Sequence, residues 1–244
     1  MYAIANKLTR AGLKALLIEG MNFVGSLQCP VSRYKNSLFI PQFSNAGLNT
    51  IAFLSMTENA QIPPLHLDDL CHNKPERPGW SITFGATCAE AAAVCLEDQG
   101  HRDRVILQID GIQACEIEIW WDAIDDTVRR FNADQEVATE YGAYGIAALV
   151  MPHLTGLTVI ERSIKGKGFG FDFWLGSIAD LEQLFQRKAR LEVSGIRSGS
   201  ETALQSRVNI KLKQITPSDT VAPGYVSVVE FSKSLSRIVE KCRT

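Results

Sequence analysis

Three acidic residues have the type and placing to do chemistry: Glu140 in "ATEYGAYG", Asp172 in "GFDFWLG" and Glu192 in "ARLEVSG". Asp172 lies among Phe171, Phe173, Trp174 and Leu175. A carboxylate removed from water in such company either protonates or needs a cation, a hydrogen-bond donor or a metal. Oxygen ligands from Asp and Glu are what Mg²⁺ (or Mn²⁺) prefers, together with waters and substrate phosphates. An ion held there could activate water and offset the charge that builds on a phosphodiester.

The elements that would position these acids can be read from residue 135 onward, in the order helix, strand, strand, strand, helix, strand. "DQEVATEYGAYGIAALVM" has a helical pattern running to about Met151, with Pro152 and Gly156 as stop signals. "LTVIERS", "FDFWLG" and "RKARLEVSGI" read as strands, and "GSETALQSRVNIKLKQI" as a helix capped by Ser200. "GYVSVVEFS" is nearly all apolar, which predicts a strand inside the sheet. The closing "LSRIVEKCRT" reads as one or two further helical turns. One helix and two adjacent strands can then bring Glu140, Asp172 and Glu192 to a single cleft.

This layout resembles the PD-(D/E)XK nuclease superfamily over roughly residues 135–231. The resemblance implies an α/β (α+β) protein with a restriction-endonuclease-like mixed sheet flanked by helices. It implies Glu140, Asp172 and Glu192 as ligands of Mg²⁺ (or Mn²⁺), with Asp172 and Glu192 catalytic. The implied reaction is hydrolysis of phosphodiester bonds in DNA, in bacterial antiviral defence or DNA processing, by a homodimer or with a protein partner. One position departs from the pattern: the third motif reads Glu192-Val193-Ser194, so a serine stands where the family carries its lysine.

A replacement cation could come from several places. Lys188 and Arg190 share the face of Glu192 by the period of two, Arg207 and Lys211 project together from the next helix, and Lys165 and Lys167 flank the turn before Asp172. Lys188 and Arg207 are the first candidates for the catalytic role. The alternative is a non-catalytic nucleic-acid-binding or assembly subunit with a degenerate nuclease fold.

The preceding sequence forms, on this reading, an additional N-terminal α+β part, with residues 1–133 set apart from a domain at 134–244. "NKLTRAGLKALLIEGM" has helical spacing, residues 37–70 mix loop and strand, and "NKPERPGW" reads as a connector. "TCAEAAAVCLEDQGH" predicts an Ala-rich helix ended by Gly100. "DRVILQIDG" and "CEIEIWWDA" predict a strand pair whose Asp110, Glu116 and Glu118 lie on a solvent face, followed by a helix broken near Asn132.

Plainer readings compete at several positions. Glu140 also suits an exposed helix position, and Glu161 an ion pair on an edge strand. "GKGFG" lacks the spacing of a phosphate-binding loop and precedes a strand. Arg187, Lys188, Arg190, Arg197, Arg207, Lys211 and Lys213 form a basic run suited to a nucleic-acid backbone or simply to solvent. His66, Cys71, His72 and Cys88 lack the paired spacing of a zinc site.

The bulk composition fits these elements. The chain has 244 residues, 45% hydrophobic and 21% charged, enough to bury a full core. A formal net charge of -2 gives no global basic field, so any DNA contact must be local. Six scattered cysteines without a C-x-x-C pair, and an N-terminus unlike a signal peptide, predict a cytoplasmic protein. No apolar run reaches the ~20 residues that would span a membrane.

Overall fold

Strand β6 (Ala189–Ile196) is buried from Ala189 to Ser194, which requires cover on both of its faces. Ala189, Leu191 and Val193 enter the larger apolar core on one side, while Arg190, Glu192 and Ser194 occupy the alternate positions. In the computed structural model, which describes residues 62–72, 79–164, 170–177 and 187–242, β6 is one of eight strands in a single mixed sheet. The helix expected near the N-terminus, most of the stretch 37–70, Lys165, Lys167, the "GKGFG" turn up to residue 169 and "SIADLEQLF" after Ser177 lie outside the described residues.

The other strands are β1 (Leu65–His66), β2 (Arg104–Gly111), β3 (Cys115–Trp120), β4 (Leu157–Arg162), β5 (Phe173–Ser177), β7 (Gly224–Glu230) and β8 (Leu235–Lys241). Their order across the sheet is β1-β3-β2-β8-β7-β6-β5-β4. β4, β5 and β6 pair antiparallel, β6 and β7 parallel, and β7 and β8 antiparallel. β8 pairs parallel with β2, and so ties the β2–β3 hairpin to the rest of the sheet.

Helices α1 (Ile82–Asp98) and α3 (Gln135–Thr155) pack into the larger core, and α4 (Glu201–Ile215) into a second one with Val226 and Val228 of β7. The short α2 (Asp126–Phe131) ends at Asn132, where the break was expected. Ser81, Asp125, Asp134 and Ser200 cap the four helices, each accepting backbone N–H groups of the first turn. Among the described residues no helix is long and apolar enough to cross a membrane.

Three expectations need correction. The boundary at residue 133 falls inside one folded unit, because β2 and β3 belong to the same sheet as β4–β8 and the chain divides instead near residue 60. The segment after Ser234 is the strand β8, not a helix. A tight turn, with Ser234 at φ 46° and its amide donating to Phe231 O, folds it back onto β7, and Ser236 and Ile238 are buried with a period of two. Finally, Pro152 does not stop α3, which continues to Thr155 and ends at Gly156 in the left-handed conformation, φ 70°. Only the hydrogen bond that the Pro152 nitrogen would have made is lost, and Pro152 O still accepts from Gly156.

Candidate functional site

The start of α3 lies directly against β6. A Cβ on Gly195 would stand 2.4 Å from Thr139 O, so only glycine permits this approach. The approach delivers Glu140 and, one turn later, Tyr144 to the place where β5 begins. Asp172 precedes the first residue of β5: its amide donates to Leu191 O at 2.9 Å, and its Oδ2 accepts from Val193 N at 2.9 Å. The side chain thus acts as the next ladder acceptor, which holds it at the strand mouth.

The polar face of β6 is answered by the α4 side of the sheet, residue by residue. Arg190 is fully buried, donating to Ala222 O and Ile215 O at 2.8 Å, to Ser218 Oγ, and to Asp219 at 3.0 Å. Glu192 Oε1 accepts from Lys211 Nζ at 2.5 Å and from Gln214 Nε2 at 2.9 Å. Ser194 Oγ accepts from Arg207 Nη1 at 2.9 Å. Two residues along a strand advance ~6.6 Å and four along a helix ~6 Å. Arg207 and Lys211 therefore match Ser194 and Glu192 in step, with α4 running back along β6.

Tyr144 connects the acids. Its hydroxyl is 2.5 Å from Glu140 Oε1 and 3.0 Å from Asp172 Oδ1. Burial, followed by the Asp172 charge and the hydrogen bond to Glu140, pushes the phenol well above its ordinary value, so it remains a donor. Glu192 is pushed up to about 8, first by burial and then by the Asp172 carboxylate, against the opposing pull of Lys211. Asp172 and Glu192 are 3% and 1% exposed, the Asp172 charge bears on Glu192, and among the described residues Glu192 Oε2 is buried without a donor. Two carboxylate oxygens can meet in such a place only across a proton or a cation.

The expected site residues therefore divide. Asp172 and Glu192 come together, and Glu140 joins them only through Tyr144, from an exposed position at the rim. The three acids do not form a set of mutually adjacent ligand atoms, because the tyrosine hydroxyl stands between Glu140 and Asp172. Lys188 is exposed, and the four residues separating it from Glu192 span ~13 Å of strand. Arg207 does reach the cleft, at Ser194, but the cation on Glu192 is Lys211. Its signal in the sequence is a position on the apolar stripe Leu204, Val208, Ile215, where a lysine must either find a partner or leave the core.

Other expectations resolve outside this cleft. Glu161 makes the edge-strand ion pair, bonded twice by Arg187 at 2.9 and 2.7 Å. With Arg190 buried and Arg197 on Asp98, the basic run does not form one continuous cationic surface. Glu116 pairs with Gln108, Glu118 with Arg104 and Asp110 with Arg237, as a solvent face would. Burial raises the thiols of Cys71 and Cys88 above their ordinary value.

Among the described residues, the set of three acidic or histidine side chains with ligand atoms within 4.8 Å of one another is His66, Asp68 and Asp122. His66 Nδ1 there accepts the Asp68 amide at 3.0 Å, which places the proton of the neutral ring on Nε2, facing Asp122 at 3.9 Å. That arrangement is a capping contact beside two carboxylates, with no lone pair left on the neutral ring for an ion. Comparison with models of known protein families, with curated protein sequences and with solved structures gave no match.

Proposed function

We propose that this protein is a Mg²⁺-dependent nuclease of restriction-endonuclease-like fold that hydrolyses phosphodiester bonds in DNA. The order α3–β4–β5–β6–α4–β7, with β6 and β7 parallel across the α4 crossover, supports the fold reading. The observation that carries the function is the buried, donorless Glu192 Oε2 beside the Asp172 carboxylate. Among the described residues Lys211 is the cation bonded to Glu192, and carboxylate oxygens gathered in this way are the ligands a divalent ion takes.

Asp172 and Glu192 would hold Mg²⁺ (or Mn²⁺), with Glu140 behind them. A bound divalent ion supplies Lewis-acid stabilisation of phosphate charge and a more acidic water. The residues of the chain do the rest. The Val193 amide and the Tyr144 hydroxyl fix the plane of Asp172, Lys211 orients Glu192, and Arg207 holds a second positive charge at Ser194. Lys211 thereby takes the place of the missing motif lysine, and its ammonium is available to a phosphate oxygen or to the attacking water.

The test is incubation of the full chain with plasmid and single-stranded DNA, with Mg²⁺ or Mn²⁺ and then with chelator. Metal-dependent cutting that disappears in Asp172→Ala supports the nuclease. Binding without cutting would make the protein a nucleic-acid-binding subunit, and neither binding nor cutting would remove both readings.

A further inference from the structure

We infer that Tyr144 is the positioning residue of the cation site and that Glu140 acts on the site through it, not as a ligand. This rests on the cation reading of Asp172 and Glu192 given above. The hydroxyl carries one proton and faces two carboxylates, at 2.5 Å (Glu140) and 3.0 Å (Asp172), so it occupies the line along which Glu140 would otherwise approach. The ring has little freedom to leave. It is 2% exposed, edge-on to Phe173 at 5.0 Å between centroids, and 6.1 Å from the ring of Tyr141.

Asp172 is the side chain that this arrangement orients. Its Oδ2 accepts from the Val193 amide and its Oδ1 from Tyr144, so these two bonds set the carboxylate plane from both ends. Without the hydroxyl, Oδ1 loses the bond that fixes it at that end. Glu140, exposed at the rim, influences Asp172 only by holding the hydroxyl in place. Partners of this kind, one shell behind the ligands, set metal affinity by roughly 10–100-fold.

The experiment is calorimetric titration of Mn²⁺ into four full-length proteins: wild type, Glu140→Gln, Tyr144→Phe and the double variant. Melting temperatures in chelator serve as the control for fold. Tyr144→Phe is expected to weaken Mn²⁺ by roughly tenfold or more, and Glu140→Gln by less. In the Tyr144→Phe background, Glu140→Gln should add less than about twofold, because its route to Asp172 has gone. A purely structural tyrosine would lower the melting temperature without this non-additivity in affinity.

Losses that multiply, with Glu140→Gln the larger, would make Glu140 a direct ligand and overturn the inference. Unchanged affinity in Tyr144→Phe would overturn it too, with the cation site left standing. Failure of the wild type to take up Mn²⁺ would overturn the cation reading itself, and this inference with it.

Discussion

Lys211 Nζ donates to Glu192 Oε1 at 2.5 Å from the helix that follows β6, not from β6 itself. The serine two residues after Glu192 carries no charge, and the helix behind it supplies two cations, Arg207 to the serine and Lys211 to the glutamate. The strand carries the acid, and the next element carries the positive charge. The matching rises of four helical and two strand residues explain why both contacts can be made at once.

Removing that ammonium should cost more at high pH than at low pH. In Lys211→Met, Glu192 Oε1 keeps only Gln214, so an ionised Glu192 becomes a buried charge without a counter-ion. Urea unfolding is expected to show a loss of about 3 kcal/mol at pH 9 and a smaller one at pH 6, where Glu192 already carries a proton. Equal losses at both values would mean that the ammonium does not neutralise Glu192.

Glu192 also sets a pH dependence of its own. A glutamate ionises near 4.5 in the unfolded chain, and this one does so at about 8 in the fold. Between those values the folded protein binds the extra proton, so stability is greatest below the lower value, falls as pH rises, and levels off above the upper. The slope is at most about 1.4 kcal/mol per pH unit. Melting temperatures of the metal-free protein should therefore decline from pH 5 to pH 8, and Glu192→Gln should flatten that decline. A slope that persists in the variant would assign it to another group.

Arg190 has a structural role that the neighbouring acids could obscure. Its guanidinium bonds two carbonyls, Ser218 and Asp219, and Lys241 reaches the other oxygen of Asp219 at 2.6 Å. Arg190→Met strands several buried acceptors at once and is expected to cost about 3–5 kcal/mol in urea unfolding. Arg190→Lys should recover only part of this, since an ammonium cannot reproduce the fork. A cost below about 1 kcal/mol would show that Lys241 alone satisfies Asp219.

The legible and illegible parts of the chain separate on physical grounds. The core strands could be read because burial on both faces leaves apolar runs, and the helices because Ser200, Asn132 and Gly156 mark ends through local hydrogen bonding or a positive φ. β8 could not, since its strand character comes from pairing with β2 and β7 on either side, and "LSRIVEK" alone has a weak pattern. Asp172 and Glu192 were visible as acids among apolar neighbours. The importance of Tyr144 was not, because a tyrosine four residues after a glutamate on a helix is ordinary until a third element, Asp172, arrives at its hydroxyl. Lys188 looked suitable because the period of two fixes a face but not a distance along it.

Placing a lysine at position 194 should harm this protein. Ser194 is 7% exposed and its hydroxyl already receives Arg207. A lysine there would bring an ammonium up to a guanidinium in a space sized for serine, with Lys211 one turn away on the same helix. Like charges in that setting repel, and the longer side chain has no room without moving α4. Ser194→Lys is expected to lose about 2 kcal/mol or more of stability and to gain no DNA cutting. Pairing it with Arg207→Ser removes the clash and the repulsion from Arg207, so the double variant should recover most of the lost stability. Thermal melts and plasmid cutting measured side by side decide the matter. If Ser194→Lys alone cuts faster with Arg207 in place, the α4 cations are not the substitutes proposed here, and the cleft lacks a charge that they do not supply.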